Sequence, residues 1–303
     1  MRVDPYYVTN LAGSLDQTQL NEQQLTAELS SGVRVTSLSV DPEAAGENVL
    51  LLNQIQQDDS FTQSSNLVQG QLQVADSALG SVVSQLTQAI TLATSANNGT
   101  LDASDRQSIA NQIAGIRDEV QSLANTSYQG QYIFAGGQTS TVPFSTSSAG
   151  SPATTTYDGD ADVNSLQTPD GQTIQLNVPG DQIFLGSGAN NVFAALNNLV
   201  ADFSSNASIA TSVNDASALN TALNYVSSQR VVLDNSLTRL TAASDAVTSE
   251  QTQLTAAQTN LMQADLPTIS TQLSLAETQQ TALEDVIGQL GQGSLFDKLP
   301  AGG

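Results

Sequence analysis

Aspartates supply the side-chain pattern in this sequence that most resembles a ligand site. Acidic and amide residues at alternate positions from Asp158 to Asn164 have the spacing with which a calcium-binding EF-hand loop begins. That loop requires Gly at its sixth position and Glu at its twelfth, where this sequence has Val163 and Pro169. The pattern therefore favours a solvated turn, with a calcium loop as the alternative.

A second acidic pair, Glu43 and Glu47, lies one helical turn apart and could serve as a general acid and base. No neighbouring residues suggest a substrate pocket, and acidic residues at a helix N-terminus are favoured by the helix dipole. The chain has no His and no Cys, which excludes Ser–His–Asp and Cys–His hydrolases and the usual zinc sites. We expect a protein that is not an enzyme and has no catalytic residues, no cofactor and no metal.

The net charge of the chain limits the classes of partner that it can bind. The 303 residues include 29 acidic and 7 basic side chains, for a net charge of −22. So few cations cannot replace the counterions around a phosphate backbone, so nucleic acid is a poor partner and an anionic membrane surface is disfavoured. No segment has an apolar run of signal-peptide or membrane-spanning length, so we expect neither a cleaved signal nor membrane insertion.

A heptad pattern predicts the helices of the chain. The pattern is strongest in the C-terminal half of the sequence. Apolar residues recur at steps of four and three over residues 219–261, and no Pro or Gly interrupts them. This spacing predicts a helix with a narrow seam against another helix. At about 1.5 Å per residue, the helix is a rod of roughly 64 Å, which predicts an elongated molecule.

Two further seams lie upstream. One runs from Phe61 to Ala93 with the same alternation, and Asn97-Asn98-Gly99 follows as a helix C-cap signal. Asp102 is a candidate N-cap for a third helix, whose seam runs from Ile109 to Leu123. Together with the C-terminal rod, these helices predict a bundle.

The pattern changes between about 130 and 190. Ile174, Leu176 and Val178 alternate as in a half-buried strand, among several Pro, Gly, Ser and Thr residues. A short helix through Val192 and Val200 follows. This order predicts a small β-rich domain inserted at the far end of a long helical hairpin.

The two ends of the chain carry weaker heptads, one from Leu11 to Leu29 and one from Ile269 to Leu290. Residues 32–42 separate the first from its neighbouring rod, and Pro267 separates the second. Short helices with polar interruptions in their seams are marginal alone. We therefore expect them to pair with each other and with neighbouring copies.

The predicted fold is mainly α: an elongated, coiled-coil-like helical bundle formed by the N- and C-terminal segments, with a β-rich insertion. Its predicted domains are a terminal helical assembly domain (1–48 plus 265–303), a long helical rod domain (49–130 plus 205–264) and a β-rich inserted domain (131–204).

Specific motifs resemble a known family. The segment LSSGVRV at 29–35, followed by DPEAAG at 41–46, resembles the N-terminal signature of the bacterial flagellin superfamily. Within it, GQYIFAG at 130–136, then Pro143-Phe144, resembles the junction proteins that join the flagellar hook to the filament. The stretches YDGD at 157–160, ADL at 264–266 and SLFDKL at 294–299 are similar to later parts of those proteins.

The resemblance implies a self-assembling structural protein of the flagellum. Such proteins leave the cell unfolded through the flagellar type III export channel, without signal cleavage, and act outside the cell. The implied partners are other copies of the chain, a neighbouring hook-associated protein on the hook side, flagellin on the filament side, and a cytoplasmic export chaperone at the C-terminal helix.

Terminal heptads and motifs together predict two sets of site residues. Arg34 is interpreted either as a solvated partner of Asp41 or as a contact that fixes the bend between terminal and main helices. Arg230, at a seam position, should pair with a carboxylate of a neighbouring helix or extend to solvent. The predicted subunit-assembly interface comprises Leu11, Leu15, Leu25, Leu29, Gly32, Arg34, Asp41, Pro42, Ile269, Leu273, Leu283, Ile287, Leu290, Leu295, Phe296 and Leu299, and the predicted domain junction comprises Tyr132, Phe134, Gly136 and Phe144.

Three alternative functions remain. A filament-forming flagellin would share the N-terminal signature and lack the pattern at 132–144. A secreted coiled-coil adhesin would use the β-rich insertion to bind a surface ligand. A glycosidase that relies on carboxylates alone would need an aromatic-lined cleft, for which the sequence has no pattern.

Overall fold

The computed structural model describes residues 5–96, 101–147, 151–205 and 208–292, and within them the chain is mainly helical, as predicted. The helices are α1 (Pro5–Ser31), α2 (Pro42–Ala96), α3 (Ala103–Ala124), α4 (Gly180–Phe184), α5 (Val192–Ser204), α6 (Ile209–Met262) and α7 (Leu266–Gln292). The strands are β1 (Ser127–Tyr128), β2 (Gln131–Tyr132), β3 (Phe144–Ser147), β4 (Thr154–Tyr157), β5 (Ser165–Gln167) and β6 (Thr173–Gln175).

The chain divides into two compact units. We call residues 1–56 with 250–303 the terminal unit, and residues 57–249 the central unit. Each contains its own buried cluster. Helices α2 and α6 contribute to both units.

In the central unit, the predicted helical seams form the core. All ten predicted seam positions of α2 from Phe61 to Ala93 are buried, including Ser65. On α6, buried apolar residues recur every seven residues from Leu219 to Val247, and Ala222 is buried beside this series. These positions coincide with the predicted heptads because a 3.5-residue repeat places its members along one line of a helix.

The third helix of the bundle begins as predicted. The side chain of Asp102 accepts a hydrogen bond from the backbone N–H of Asp105, so it caps α3. Helix α3 packs against α5, which is capped in the same way by Asn191. The predicted C-cap Asn97-Asn98-Gly99 lies outside the described residues.

Between α3 and α4, the described strands form three two-stranded antiparallel sheets: β1 with β2, β3 with β4, and β5 with β6. Gln129 and Gly130 join the first pair with φ angles of 51° and 81°. Two consecutive positive φ angles are typical of a type I′ hairpin turn. The strand predicted through Val178 is shorter than expected. It ends at Gln175. The N–H of Leu176 still donates to the carbonyl of Asn164, the next residue in register, but the N–H of Asn164 donates to Asn177 Oδ1 and gives Leu176 no bond in return.

Aromatic rings close the core of the central unit. Phe144 lies at the centre of the group, with ring-centroid distances of 5.1 Å to Tyr157 and 5.3 Å to both Phe184 and Phe193. Phe134 meets Phe184 edge-on at 5.6 Å. These edge-on and tilted contacts suit aromatic packing and hold the strands onto α4 and α5.

Candidate assembly surface

The terminal unit is built on the pairing of α1 with α7. Leu25, Ala264, Ile269 and Ala276 form its buried apolar cluster, and Leu273 packs against them. This cluster is small because many positions of both helices carry Gln, Asn, Ser or Thr. Helices with so little buried apolar area gain little stability from packing within one chain.

The inward stripe of α1 differs from the predicted heptad at one point. Leu11 and Leu15 are half-buried and Leu25 is buried, as the heptad requires. The next buried position is Glu28, whose carboxylate accepts a hydrogen bond of 2.9 Å from the Gln24 amide. Leu29 is consequently turned outward with 38% of its surface exposed. A step of three in place of four explains the shift, since a straight helix drifts from an ideal heptad.

A short backbone bridge ties the bend after α1 to the bend after α6. The N–H of Arg34 donates to the carbonyl of Met262 at 2.7 Å, and the N–H of Ala264 donates to the carbonyl of Gly32 at 3.0 Å. Gly32 has a φ of 68°, a backbone conformation that glycine adopts without a Cβ penalty. Glycine at this position therefore lets the chain leave α1 and form the bridge.

Arg34 connects three parts of the terminal unit. Its Nη1 donates to Asp41 Oδ2 at 2.9 Å, and its Nη2 donates to the carbonyl of Leu261 at 3.3 Å. Asp41 also caps α2, accepting a 3.0 Å hydrogen bond from the N–H of Ala44. The Ala44 hydrogen bond and the Arg34 guanidinium hold the pKa of the Asp41 carboxyl below its usual value.

The start of α7 has its own cap. Thr268 donates from its backbone N–H to Asp265 Oδ1 at 3.4 Å and from its hydroxyl to Oδ2 at 2.6 Å. Pro267 lies in the first turn of α7. A backbone N–H at this position would have no acceptor within the helix, so proline, which lacks the N–H, costs no helical hydrogen bond. The predicted break before the terminal helix therefore occupies the residues between Met262 and Leu266.

The structure describes most residues of the predicted assembly interface. Leu25 and Ile269 are buried in the terminal cluster, whereas Leu29, Arg34 and Pro42 are exposed. The remainder are half-buried: Leu11, Leu15, Gly32, Asp41, Leu273, Leu283 and Ile287. Leu290 belongs to α7, and Leu295, Phe296 and Leu299 lie outside the described residues.

Large apolar side chains also lie outside the predicted seams. Val49 and Leu50 are 62% and 70% exposed on the outer face of α2, and Leu38 is 68% exposed before that helix. The sequence signal for Val49 and Leu50 was a run of consecutive apolar residues. Such residues point in different directions around a helix, so they cannot all face the same seam. Further exposed apolar residues of the terminal unit are Tyr6, Tyr7, Leu20, Leu52, Leu266, Leu275 and Val286.

The four predicted junction residues lie together in the central unit. Phe134 and Phe144 are buried in the aromatic group, Tyr132 is half-buried in β2, and Gly136 is buried with a φ of 66°. A Cβ at Gly136 would fall within 2.3 Å of the carbonyl oxygen of Asp160. Glycine is therefore required for this approach of the two loops.

The calcium-like sequence forms a hydrogen-bonded turn. Asp160 Oδ1 accepts from the backbone N–H of Gly137 and from that of Asp162, at 2.5 and 3.1 Å. Among the described residues, no group of three or more acidic, His or Cys side chains is arranged to hold a metal ion. Nor does any described helix combine the length and apolar character needed to cross a bilayer.

Comparison with known proteins shows a similarity to bacterial flagellin. Residues 6–139 match the model of the bacterial flagellin N-terminal helical region. The match spans 134 of the 303 residues, and over this part the chain is similar to bacterial flagellins. The resemblance predicted from the 29–46 signature is thereby confirmed.

Relatives that match the chain carry hook-associated names. The chain is 32% identical over 179 residues to flagellar hook-associated protein 3 of Salmonella typhimurium. That match covers 59% of this chain and 54% of the relative, so it spans about half of the relative's length. The names agree with the likeness predicted from GQYIFAG at 130–136.

Solved structures of other proteins share the fold of this chain. The flagellar hook-associated protein 3 of Legionella pneumophila has a TM-score of 0.62 at 14% identity, covering 70% of this chain and 98% of that one. The flagellar junction protein from the same organism has a TM-score of 0.57 at 15% identity, covering 72% and 100%. At these identities the likeness establishes the architecture alone.

Proposed function

We propose that the protein is a structural subunit of the bacterial flagellum that self-assembles at the junction between hook and filament. The observation that carries the proposal is the distribution of exposed apolar side chains. Of the 17 large ones among the described residues, 11 lie in the terminal unit, which holds about a third of the chain. Apolar surface left exposed in a free subunit is typical of a protein interface.

The proposal also assigns a role to each predicted domain of the chain. Residues 1–48 with 265–303 assemble with neighbouring subunits, residues 49–130 with 205–264 form the rod, and residues 131–204 form a β-rich inserted domain. Tyr132, Phe134, Gly136 and Phe144 join that domain to the rod. The hook-associated names of the relatives support the junction role over the roles of a filament-forming flagellin, an adhesin or a glycosidase.

The same proposal defines the partners and the location. The subunit contacts its own copies, a hook-associated protein on the hook side and flagellin on the filament side, outside the cell. It reaches that site by flagellar export without signal cleavage, after a cytoplasmic chaperone has bound its C-terminal helix. It has no catalytic role.

Electron microscopy of cells that lack the gene tests the function. We expect hooks without filaments, and we expect the full-length gene to restore filaments and swimming. Cells that lack the gene and keep normal filaments would contradict the junction role.

A matched pair of variants tests the assembly surface. Val49→Asp with Leu50→Asp places two charges on the outer face of α2 in the terminal unit, whereas Val231→Asp with Val232→Asp does the same on α6 in the central unit. All four side chains are exposed, so both variants should keep the helicity and melting temperature of the parent. We expect the first variant to lose incorporation at the hook tip and the second to retain it. Equal incorporation of both would refute the terminal unit as the assembly surface.

A further inference from the structure

Arg230 is a charged residue within the apolar seam of α6. The buried residues Val226 and Leu233 flank it on the seam. Its guanidinium binds Asp76 of α2 through both carboxylate oxygens, with Nε–Oδ1 and Nη2–Oδ2 distances of 2.5 and 3.0 Å. The sequence-based expectation that Arg230 pairs with a carboxylate of a neighbouring helix is therefore confirmed.

The surroundings favour this one partner. Gly80 lies one helical turn beyond Asp76, and a Cβ built on it would be 3.6 Å from the guanidinium carbon, so the arginine lies flat along α2. The Arg230 guanidinium lowers the pKa of Asp76, whereas burial and the Asp76 carboxylate raise that of nearby Asp234. Asp76 is thus the carboxylate whose charged form the guanidinium stabilises through direct hydrogen bonds.

Away from this pair, the described buried positions of α2 and α6 are mostly apolar; the buried polar ones are Asp58 and Ser65 on α2, and Ser212, Ser236 and Ser244 on α6. Helices α2 and α6 are antiparallel, as the Asn48–Gln258 and Gln54–Glu250 hydrogen bonds also show. Both carry buried apolar residues at intervals of seven, so a slip by one heptad would again place apolar residues together. Those residues are Phe61, Val68, Ala75, Val82 and Ala89 on α2, and Leu219, Val226, Leu233, Leu240 and Val247 on α6.

A slipped alignment would separate the charged pair. Asp76 would then lie opposite Leu223 or Leu237, and Arg230 would lie opposite Gln69 or Val83. Either slip breaks the ion pair and places Asp76 beside a leucine that offers it no hydrogen bond. Because 39% of the Arg230 side chain and 26% of the Asp76 side chain is exposed, both charges would then have to turn to solvent. Single polar residues at seam positions specify register in this way in coiled coils.

We propose that the Arg230–Asp76 pair sets the register of α2 against α6 while the chain folds. The apolar seam supplies stability in several alignments, and the ion pair selects one of them. This role is independent of the junction function, because it concerns folding of the single chain.

Pulsed cross-linking during refolding of the full chain tests the proposal. The natural sequence has no Cys, so introduced pairs report register directly. Gln54→Cys with Glu250→Cys replaces a hydrogen-bonded pair of the observed register. Gln54→Cys with Ala257→Cys reports a slip of seven residues, because residues 250 and 257 occupy equivalent heptad positions. A short thiol-specific cross-linker is added at intervals after dilution from denaturant.

In the parent background we expect the first pair to cross-link and the second to remain open. In D76L/R230L the slipped cross-link should rise about tenfold or more, while helicity at equilibrium is retained because an apolar pair suits the seam. The reversed pair D76R/R230D should return the slipped cross-link to the parent level. R117L/D118L removes the same two charges from neighbouring residues of α3 and should also match the parent.

An unchanged slipped cross-link in D76L/R230L would overturn the proposal. So would a D76L/R230L chain that fails to form helix and gives neither cross-link, since the pair would then be needed for stability and not for alignment. A reversed pair that slips as often as D76L/R230L would also overturn it.

Discussion

Arg34 and Asp41 hold the turn between α1 and α2 through both oxygens of one carboxylate. Oδ2 of Asp41 accepts from the Arg34 guanidinium at 2.9 Å, while Oδ1 accepts from the N–H of Ala44 at 3.0 Å. The carboxylate therefore caps a helix and anchors an arginine that also reaches the carbonyl of Leu261. This geometry supports the interpretation of Arg34 as a contact that fixes the bend.

The first prediction concerns acid. The folded pKa of Asp41 is lowered, so its stabilising contribution is present above its unfolded pKa and is lost as pH falls through the folded value. Hydrogen exchange of the Ala44 amide should therefore accelerate below about pH 4 beyond the intrinsic trend. Asp41→Ala should show fast exchange already at pH 7, whereas Asp16→Ala, an exposed change on α1, should not. Equal Ala44 protection in all three proteins would contradict the cap.

The second prediction contrasts two leucines. Leu240 is fully buried in the seam of the central unit, and Leu240→Asp should cost at least about 3 kcal/mol because it leaves a cavity and buries a charge. Leu283 is half-buried on α7 in a unit with a small apolar cluster. Leu283→Asp should leave the melting temperature of the free subunit nearly unchanged yet abolish incorporation at the hook tip.

Circular dichroism melts of both variants, with a motility plate, measure this contrast. Leu237, which the heptad also places in the seam, is only half-buried, so Leu240 gives the sharper comparison. Equal loss of stability in the Leu240 and Leu283 variants would show that the terminal helices are as important to the folded subunit as the rod.

The third prediction uses two glycines. A Cβ at Gly180 would lie 2.7 Å from the carbonyl oxygen of Phe134 and 2.8 Å from the Phe144 ring. Gly180→Ala should therefore destabilise the protein by about 1–3 kcal/mol. Gly115, on α3, has no atom within 4 Å of such a Cβ, and Gly115→Ala should stabilise by about 0.5–1 kcal/mol. Denaturant titration measures both, and changes of the same sign would refute the packing around Gly180.

The fourth prediction concerns Tyr157. Its hydroxyl lies 3.0 Å from the carbonyl oxygen of Phe134 and 2.8 Å from that of Asp160. Burial, then the charge of Asp181, raises the pKa of Tyr157 to about 12. A raised pKa means that the folded state keeps its proton longer, so stability present below about pH 10 declines between pH 10 and 12.

Tyr157→Phe should cost about 1 kcal/mol at pH 7 through the lost hydrogen bond and should flatten the alkaline decline. Melting temperatures from pH 7 to 12 measure both effects. Tyr7→Phe, at an exposed position of α1, serves as the control and should follow the parent. A Tyr157→Phe curve parallel to that of the parent would contradict the buried hydroxyl.

Periodicity in the sequence was sufficient to locate the long helices of the central unit and their inward faces. The stripe from Phe61 to Ala93 was predicted residue by residue, because spacing along a helix translates directly into direction around its axis. The Asp102 cap could also be predicted from the sequence, because its hydrogen bond joins residues only three positions apart. The heptad placed Leu29 on the buried face of α1, but Glu28 is buried there instead. A straight helix drifts from an ideal heptad, and residue types alone do not show where this drift shifts the buried position.

Partners distant in sequence were decided by the tertiary structure. The heptad indicated that Arg230 either pairs with a carboxylate of a neighbouring helix or extends to solvent, and the alignment of α2 with α6 made Asp76 its partner. The outward positions of Val49 and Leu50 likewise depend on which face of α2 is covered. A one-dimensional pattern specifies the faces of each element, whereas packing in three dimensions determines which faces meet and which apolar groups remain exposed.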